Sequence, residues 1–136
     1  MRDFQLFEDL IGIPFKRNGR DKNGMDCWGL CMEVKKRTDG TILPDFVTQG
    51  DKESIVGLFL NGIDMAERLE SPEPYCFVCI GLVSPLVDHV GIVLKDCRHF
   101  IHMLSERSSS SIERLDAIHW RNRIRGYYRW KHTPKN

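Results

Sequence analysis

No apolar run in this 136-residue chain approaches the length that a membrane-spanning helix needs. The first residues, MRDFQLFEDL, are acidic and amphipathic, and lack the basic start and apolar core of a secretory leader. No membrane role is expected, and the chain reads as made and kept in the cytoplasm unless another route carries it out. An excess of one charge is missing as well: 20 basic side chains balance 19 acidic ones, for a net charge of +1. That leaves no sequence-wide attraction for nucleic acid or an anionic surface. Internal repeats are absent, and the only low-complexity segment, Ser108 to Ser111, reads as a solvated loop.

A disulfide framework is also unexpected. The five cysteines, Cys27, Cys31, Cys76, Cys79 and Cys97, are odd in number, and three lie in apolar periodic segments where free cysteine packs as a small hydrophobe. Cys76-Phe-Val-Cys79 has the spacing of a redox or zinc motif, but it sits inside YCFVCIGLV, which reads as a buried strand. Positions three apart in a strand point to opposite faces, so packing is favoured over a shared metal.

What is present is enough for one domain over residues 1–136. With 41% hydrophobic residues the chain can bury a core without disulfides or a metal. Residues 3 to 11 read as a first helix, with Asp3 as cap, Phe4, Phe7 and Ile11 on one face, and Gly12 and Pro14 as the stop. KRNGRDKNG is a polar, turn-rich loop. A second helix begins at Asp26, with Cys27, Leu30, Cys31 and Val34 at helical spacing and Lys35, Lys36 and Arg37 suited to its C-terminal end. A third helix is expected from about Glu53 to Leu69, weakened by Gly57 and Gly62. Then YCFVCIGLV, HVGIVL, HFIHM and RIRGYYRW read as four strands. Helices followed by an antiparallel meander make an α+β domain. The aromatics near the end, Trp120, Tyr127, Tyr128 and Trp130, read as core cover in preference to a glycan or partner surface.

The residues with chemistry to offer are few. Cys27 stands at a helix start, where unpaired N–H groups and the macrodipole favour thiolate. A thiol nucleophile also needs a base and a group to orient it. His89 opens HVGIVL, and His102 lies in the next run, so a hairpin closed at KDCR brings them side by side if its register sets both imidazoles on one face, toward the helix. His99 and His119 are competitors, with His99 expected to face outward, and His132 lies in a polar tail. Taken singly, each of these side chains is more simply a packed thiol or a surface histidine; the set is what points to catalysis.

At these residues the sequence resembles the NlpC family of cell-wall cysteine peptidases, a papain-like group with a nucleophile in Asp-Cys-Ser-Gly-Leu and a base in His-Val-Gly-Ile-Tyr. The matching stretches are Asp26-Cys27-Trp28-Gly29-Leu30 and His89-Val90-Gly91-Ile92-Val93, with His102 at the third polar position. Trp28 in place of serine is similar to the variant in phage tail-assembly proteins. Ile11-Gly12-Ile13-Pro14-Phe15, Leu43-Pro44-Asp45-Phe46 and Arg123-Ile124-Arg125-Gly126-Tyr127-Tyr128-Arg129 resemble the same group. Phe15 falls where many members carry a tyrosine.

The resemblance implies a papain-like α+β fold and hydrolysis of the amide between D-glutamate's γ-carboxyl and the following diamino acid of a peptidoglycan stem. Cys27 would be the nucleophile, His89 the base and His102 its orienting partner, with Phe15, Asp26 and Trp28 on the substrate side. Asp26 reads equally as a helix cap. The chemistry calls for no metal or organic cofactor. Phage tail proteins are the implied partners and a virion tail a second location. A catalytically silent tail-assembly module is the alternative, and an amidase or acyl-transfer enzyme on another small substrate a weaker one.

Overall fold

The computed structural model describes residues 3–45, 66–81, 89–103 and 109–131. A short helix α1 (Asp3–Leu6) is followed by a 3-10 turn (Glu8–Leu10), and a two-stranded hairpin, β1 (Arg20–Asp21) and β2 (Gly24–Met25), leads into the long helix α2 (Cys27–Asp39). Six further strands make one antiparallel sheet: β3 (Ala66–Leu69), β4 (Phe77–Ile80), β5 (His89–Val93), β6 (His99–Met103), β7 (Ser110–Arg114) and β8 (Ile124–Trp130). Their order is β3-β8-β4-β5-β6-β7. The middle of the sheet is thus a meander, while the last strand returns to pair with both β3 and β4.

α2 forms where the 3.6-residue apolar spacing predicts it. The Asp26 side chain accepts the Gly29 N–H at its start, and Gly40 closes it in the left-handed region at φ 75°. Cys27, Leu30, Cys31 and Val34 are buried, as the spacing requires. Lys35 is buried too: its aliphatic stem lies in the core while its ammonium meets Asp39 at 2.7 Å and the Tyr75 carbonyl at 2.9 Å. Arg37 grips both carboxylate oxygens of Asp9, tying the end of α2 to the N-terminal segment.

The sheet has two apolar faces. One carries Phe77, Cys79, Val90, Ile92, Ile101 and Met103 and packs on α2 together with Phe7 and Leu10. The other carries Val78, Ile80, Val93 and Phe100 under Leu115 and Trp120. Burial of each such large side chain contributes about 1.5–3 kcal/mol. Cys76 and Cys79 belong to different faces, as strand alternation predicts, and the five cysteines are free thiols. Trp120 and Trp130 are buried and Tyr127 and Tyr128 half-buried, in keeping with their reading as core cover.

Several expectations are corrected. The helix expected over 3–11 breaks after Leu6 into the 3-10 turn, which buries Leu10 and leaves Ile11 43% exposed. Of the helix expected over 53–69, residues 53–65 lie outside the described residues, and 66–69 form β3 because they pair with the aromatic β8. Ser110 and Ser111 belong to β7 and are no solvated loop: the buried Ser110 hydroxyl accepts the Ile13 N–H and donates to the Leu10 carbonyl. Pairing with a neighbouring strand supplies what local composition does not.

Candidate active site

Asp26 is the organising residue at the start of α2. It is 2% exposed, and its carboxylate takes three donors: the Gly29 N–H at 2.8 Å, an Arg20 guanidinium N–H at 2.8 Å and the Asn18 N–H at 3.0 Å. Arg20 reaches on to Asp45 at 2.8 Å. The loop before β1 is thereby clamped over the first turn of the helix. Gly29 makes the clamp possible, since a Cβ there would stand 2.3 Å from the Gly19 carbonyl oxygen.

Cys27 follows directly and is 3% exposed. Burial pushes its thiol up to about 12, and the Asp26 carboxylate adds to the rise; the Val90 and Trp28 N–H groups act in the opposite direction without prevailing. The helix start therefore does not by itself yield a thiolate, because desolvation outweighs the N–H groups offered to the sulfur. Val90 also receives the second thiol of the helix, its carbonyl lying 3.9 Å from the Cys31 sulfur. The Val90 N–H, in the residue that follows His89, is thus near the Cys27 thiol.

His89 is the first residue of β5, and its Nε2 lies 2.7 Å from Nδ1 of His102 on β6. The register pairs Ile92 with Ile101 and Val93 with Phe100, so its continuation sets Gly91 opposite His102, with His89 on the diagonal. Gly91 is the residue that permits this: a Cβ there would meet the Ile101 carbonyl at 2.8 Å and the His102 Cβ at 3.1 Å. Both imidazoles share one face, as the hairpin reading requires. It is the Phe100 and Trp120 face, however, and not the α2 face. Strand alternation gives Val90 to the helix side and His89 to the other. The thiol and the imidazole pair accordingly approach the start of β5 from two sides.

His102 is buried and carries a second partner that the sequence reading missed. Its Nε2 lies 2.5 Å from a Glu113 carboxylate oxygen on β7, and the Trp120 ring stands edge-on to it at 4.9 Å. Burial lowers the His102 pKa from its ordinary value of 6.5 despite the opposing Glu113 carboxylate. Glu113 was hidden because no strand was read between HFIHM and RIRGYYRW. The alternation of Ser111-Ile112-Glu113, read as a further strand beside HFIHM, would have set it diagonal to His102.

The other predicted residues are distributed unequally. Trp28 is 5% exposed, stacks on Phe77 at 5.8 Å, packs on Trp130 and donates to the Pro44 carbonyl at 2.8 Å. Phe15 is half-buried and forms an isolated bridge with Met25, two residues before Cys27. Of the competing histidines, His99 bonds Asp96 at 2.6 Å and His119 is exposed, while His132 lies outside the described residues. Among the described residues no helix is long and apolar enough to cross a membrane.

Comparison with solved structures gives the same fold. The NlpC/p60 domain of peptidoglycan hydrolase SagA superposes with a TM-score of 0.60 at 15% identity, covering 92% of this chain and 93% of that one. An NlpC/P60 family protein from Bacillus cereus ATCC 10987 gives 0.64 at 21% identity over 92% of this chain, which spans only 37% of that protein. Comparison with curated proteins finds no match. By sequence, residues 12–129 match the NlpC/P60 family, a span that takes in α2 and all six sheet strands up to Arg129, and the chain therefore belongs to the NlpC/P60 family.

Proposed function

We propose that this chain is a cysteine peptidase that hydrolyses the γ-D-glutamyl-diamino acid amide of peptidoglycan stem peptides, acting as one domain over residues 1–136. The observation that carries the reading is the hydrogen bond between His89, at the start of β5, and His102 on β6, beside the Val90 N–H that acts on the Cys27 thiol. With His89 Nε2 engaged by His102, its Nδ1 is the nitrogen that takes the Cys27 proton. The thiolate attacks the amide carbonyl, and the Cys27 backbone N–H, with a donor from the loop before it, meets the oxyanion. His89 then protonates the leaving amine, and water hydrolyses the thioester with His89 as base. His102 orients the His89 ring and supports its cationic form.

On the substrate side, Phe15 is the contact we retain. Asp26, with three donors already on its carboxylate, serves through the loop it clamps, and Trp28 through the core it fills. The resemblance of the Trp28-bearing motif to phage tail-assembly proteins supports association with a phage or prophage tail. A silent tail-assembly module is the second reading, favoured by two observations: the thiol is buried and pushed up to about 12, and the imidazole pair lies on the sheet face away from α2.

Digestion of purified peptidoglycan, with products identified by mass spectrometry, decides between them. The native chain is expected to release fragments cut after D-glutamate, and Cys27→Ala and His89→Ala to release none. Intact stem peptides after prolonged incubation with native chain would overturn the peptidase reading in favour of the module.

A further inference from the structure

Behind His102 lies a second row of contacts that the thiol chemistry above does not use. Glu113 sits across from Phe100 in the β6–β7 register, and His102 across from Ser111, so carboxylate and imidazole are diagonal neighbours on one face. One carboxylate oxygen meets His102 Nε2 at 2.5 Å and also accepts the Ser111 hydroxyl at 3.4 Å; the other accepts the Trp120 indole N–H at 3.0 Å. The Trp120 ring is itself wedged edge-on against both Phe100, at 5.7 Å, and His102. Each oxygen of Glu113 thus has a fixed donor.

We propose that Glu113, anchored by Trp120, is a positioning residue that sets the direction of the His102–His89 hydrogen bond and so fixes which nitrogen of His89 can accept a proton. The logic is that of donor and acceptor counting. A carboxylate only accepts, so His102 must carry its proton on Nε2. A neutral His102 then has a bare Nδ1, which accepts Nε2–H of His89. That leaves His89 neutral with its lone pair on Nδ1, the nitrogen needed to take a proton from sulfur. When His89 becomes cationic, the same chain delivers the Glu113 charge behind it. The protonation states agree. Desolvation works to raise the Glu113 carboxyl, but the Trp120 and His102 bonds hold it below its ordinary value, while burial keeps His102 neutral.

The arrangement makes an uncommon forecast for the isosteric variant. In Glu113→Gln, the Trp120 indole needs an acceptor and claims the amide oxygen. The amide NH₂ then faces His102 Nε2 and takes it as acceptor, so the His102 proton moves to Nδ1 and His89 is left with its proton on Nδ1. The whole chain runs backwards. Glu113→Ala instead leaves a half-exposed position to water, which donates or accepts as required.

The inference rests on His89 being the base, but its test does not require activity. Imidazole ¹⁵N spectra of the full ¹⁵N-labelled chain near neutral pH distinguish protonated from bare ring nitrogens. Native protein is expected to show Nε2–H on both histidines, Glu113→Gln to show Nδ1–H on both, and the double variant Glu113→Gln/Trp120→Phe, in which the amide is free to turn, to return to the native pattern. In the stem-peptide assay Glu113→Gln is expected to lose about 10²–10⁴-fold in kcat, the scale of a wrongly protonated triad histidine, and to be worse than Glu113→Ala; a merely structural carboxylate would give the reverse order. Unchanged His102 and His89 nitrogens in Glu113→Gln would overturn the inference. A native chain with the forecast nitrogens and no hydrolysis would overturn the peptidase reading and leave the tautomer chain standing.

Discussion

The backbone N–H of Val90, the residue immediately after His89, lies near enough to the Cys27 thiol to oppose the rise in its pKa. This approach brings the start of α2 to the start of β5, and the sulfur lies where burial disfavours charge. On the proposed mechanism a partner ionises the thiol at the moment of reaction, and the free chain is expected not to display a permanently reactive cysteine.

The check is iodoacetamide labelling followed by peptide mass spectrometry. At pH 7 the half-buried Cys97 is expected to be modified ahead of Cys27, whose labelling should accelerate only above pH 9. Rapid modification of Cys27 at neutral pH, abolished in His89→Ala, would show instead that His89 already holds the proton in the resting state.

Asp26 offers a second measurement. Its replacement by alanine removes a helix cap worth about 1 kcal/mol and strips partners from Asn18 and Arg20. The expected loss is at least about 2 kcal/mol, since Asp26 is buried and three donors lose their acceptor together. Urea unfolding of Asp26→Ala and Asp26→Asn reads it, with asparagine retaining part of the cap. A melting curve indistinguishable from native would mean that the carboxylate serves only a bound substrate.

How far the sequence spoke depends on the kind of signal. α2 was legible because cap, apolar spacing and terminal glycine agree over Asp26 to Gly40, and β4, β5, β6 and β8 because their aromatic and β-branched runs are unambiguous. β3 and β7 were not, since Ala-Glu-Arg-Leu and Ser-Ser-Ile-Glu-Arg become strands only by pairing with β8 and β6. The same gap hid Glu113. Trp28 was visible as a departure from the family's serine, but its stacking on Phe77 belongs to tertiary packing. The height of the Cys27 thiol was likewise hidden, because burial is a property of the whole fold.

Gly29 sets two effects of known size against each other. Alanine is the better helix former by about 0.8–1.0 kcal/mol, yet its methyl would press into the Gly19 carbonyl at 2.3 Å, against backbone that cannot rotate away. Overpacking of that kind costs about 1–3 kcal/mol. Gly29→Ala is expected to lower the urea midpoint, and stem-peptide cleavage with it as the 16–20 loop is displaced. A raised midpoint would show that the loop does not lie against the first turn of α2.

High pH should destabilise this protein through its buried thiols. Burial raises Cys27 to about 12 and Cys76 to about 11 from an ordinary 9.0, and raises Cys31 and Cys79 in the same direction. Folded thiols thus keep protons that the unfolded chain has already released, so the stability they contribute is intact below pH 9 and is lost as pH climbs through 11 and 12. Each such group removes up to about 1.4 kcal/mol per pH unit in that window. Melting temperatures taken from pH 7 to 11 should be level to about pH 9 and then fall steeply, and Cys76→Ala, with one titrating thiol fewer, should show a shallower fall. A melting temperature unchanged from pH 9 to 11 would mean that water reaches these sulfurs in the folded state.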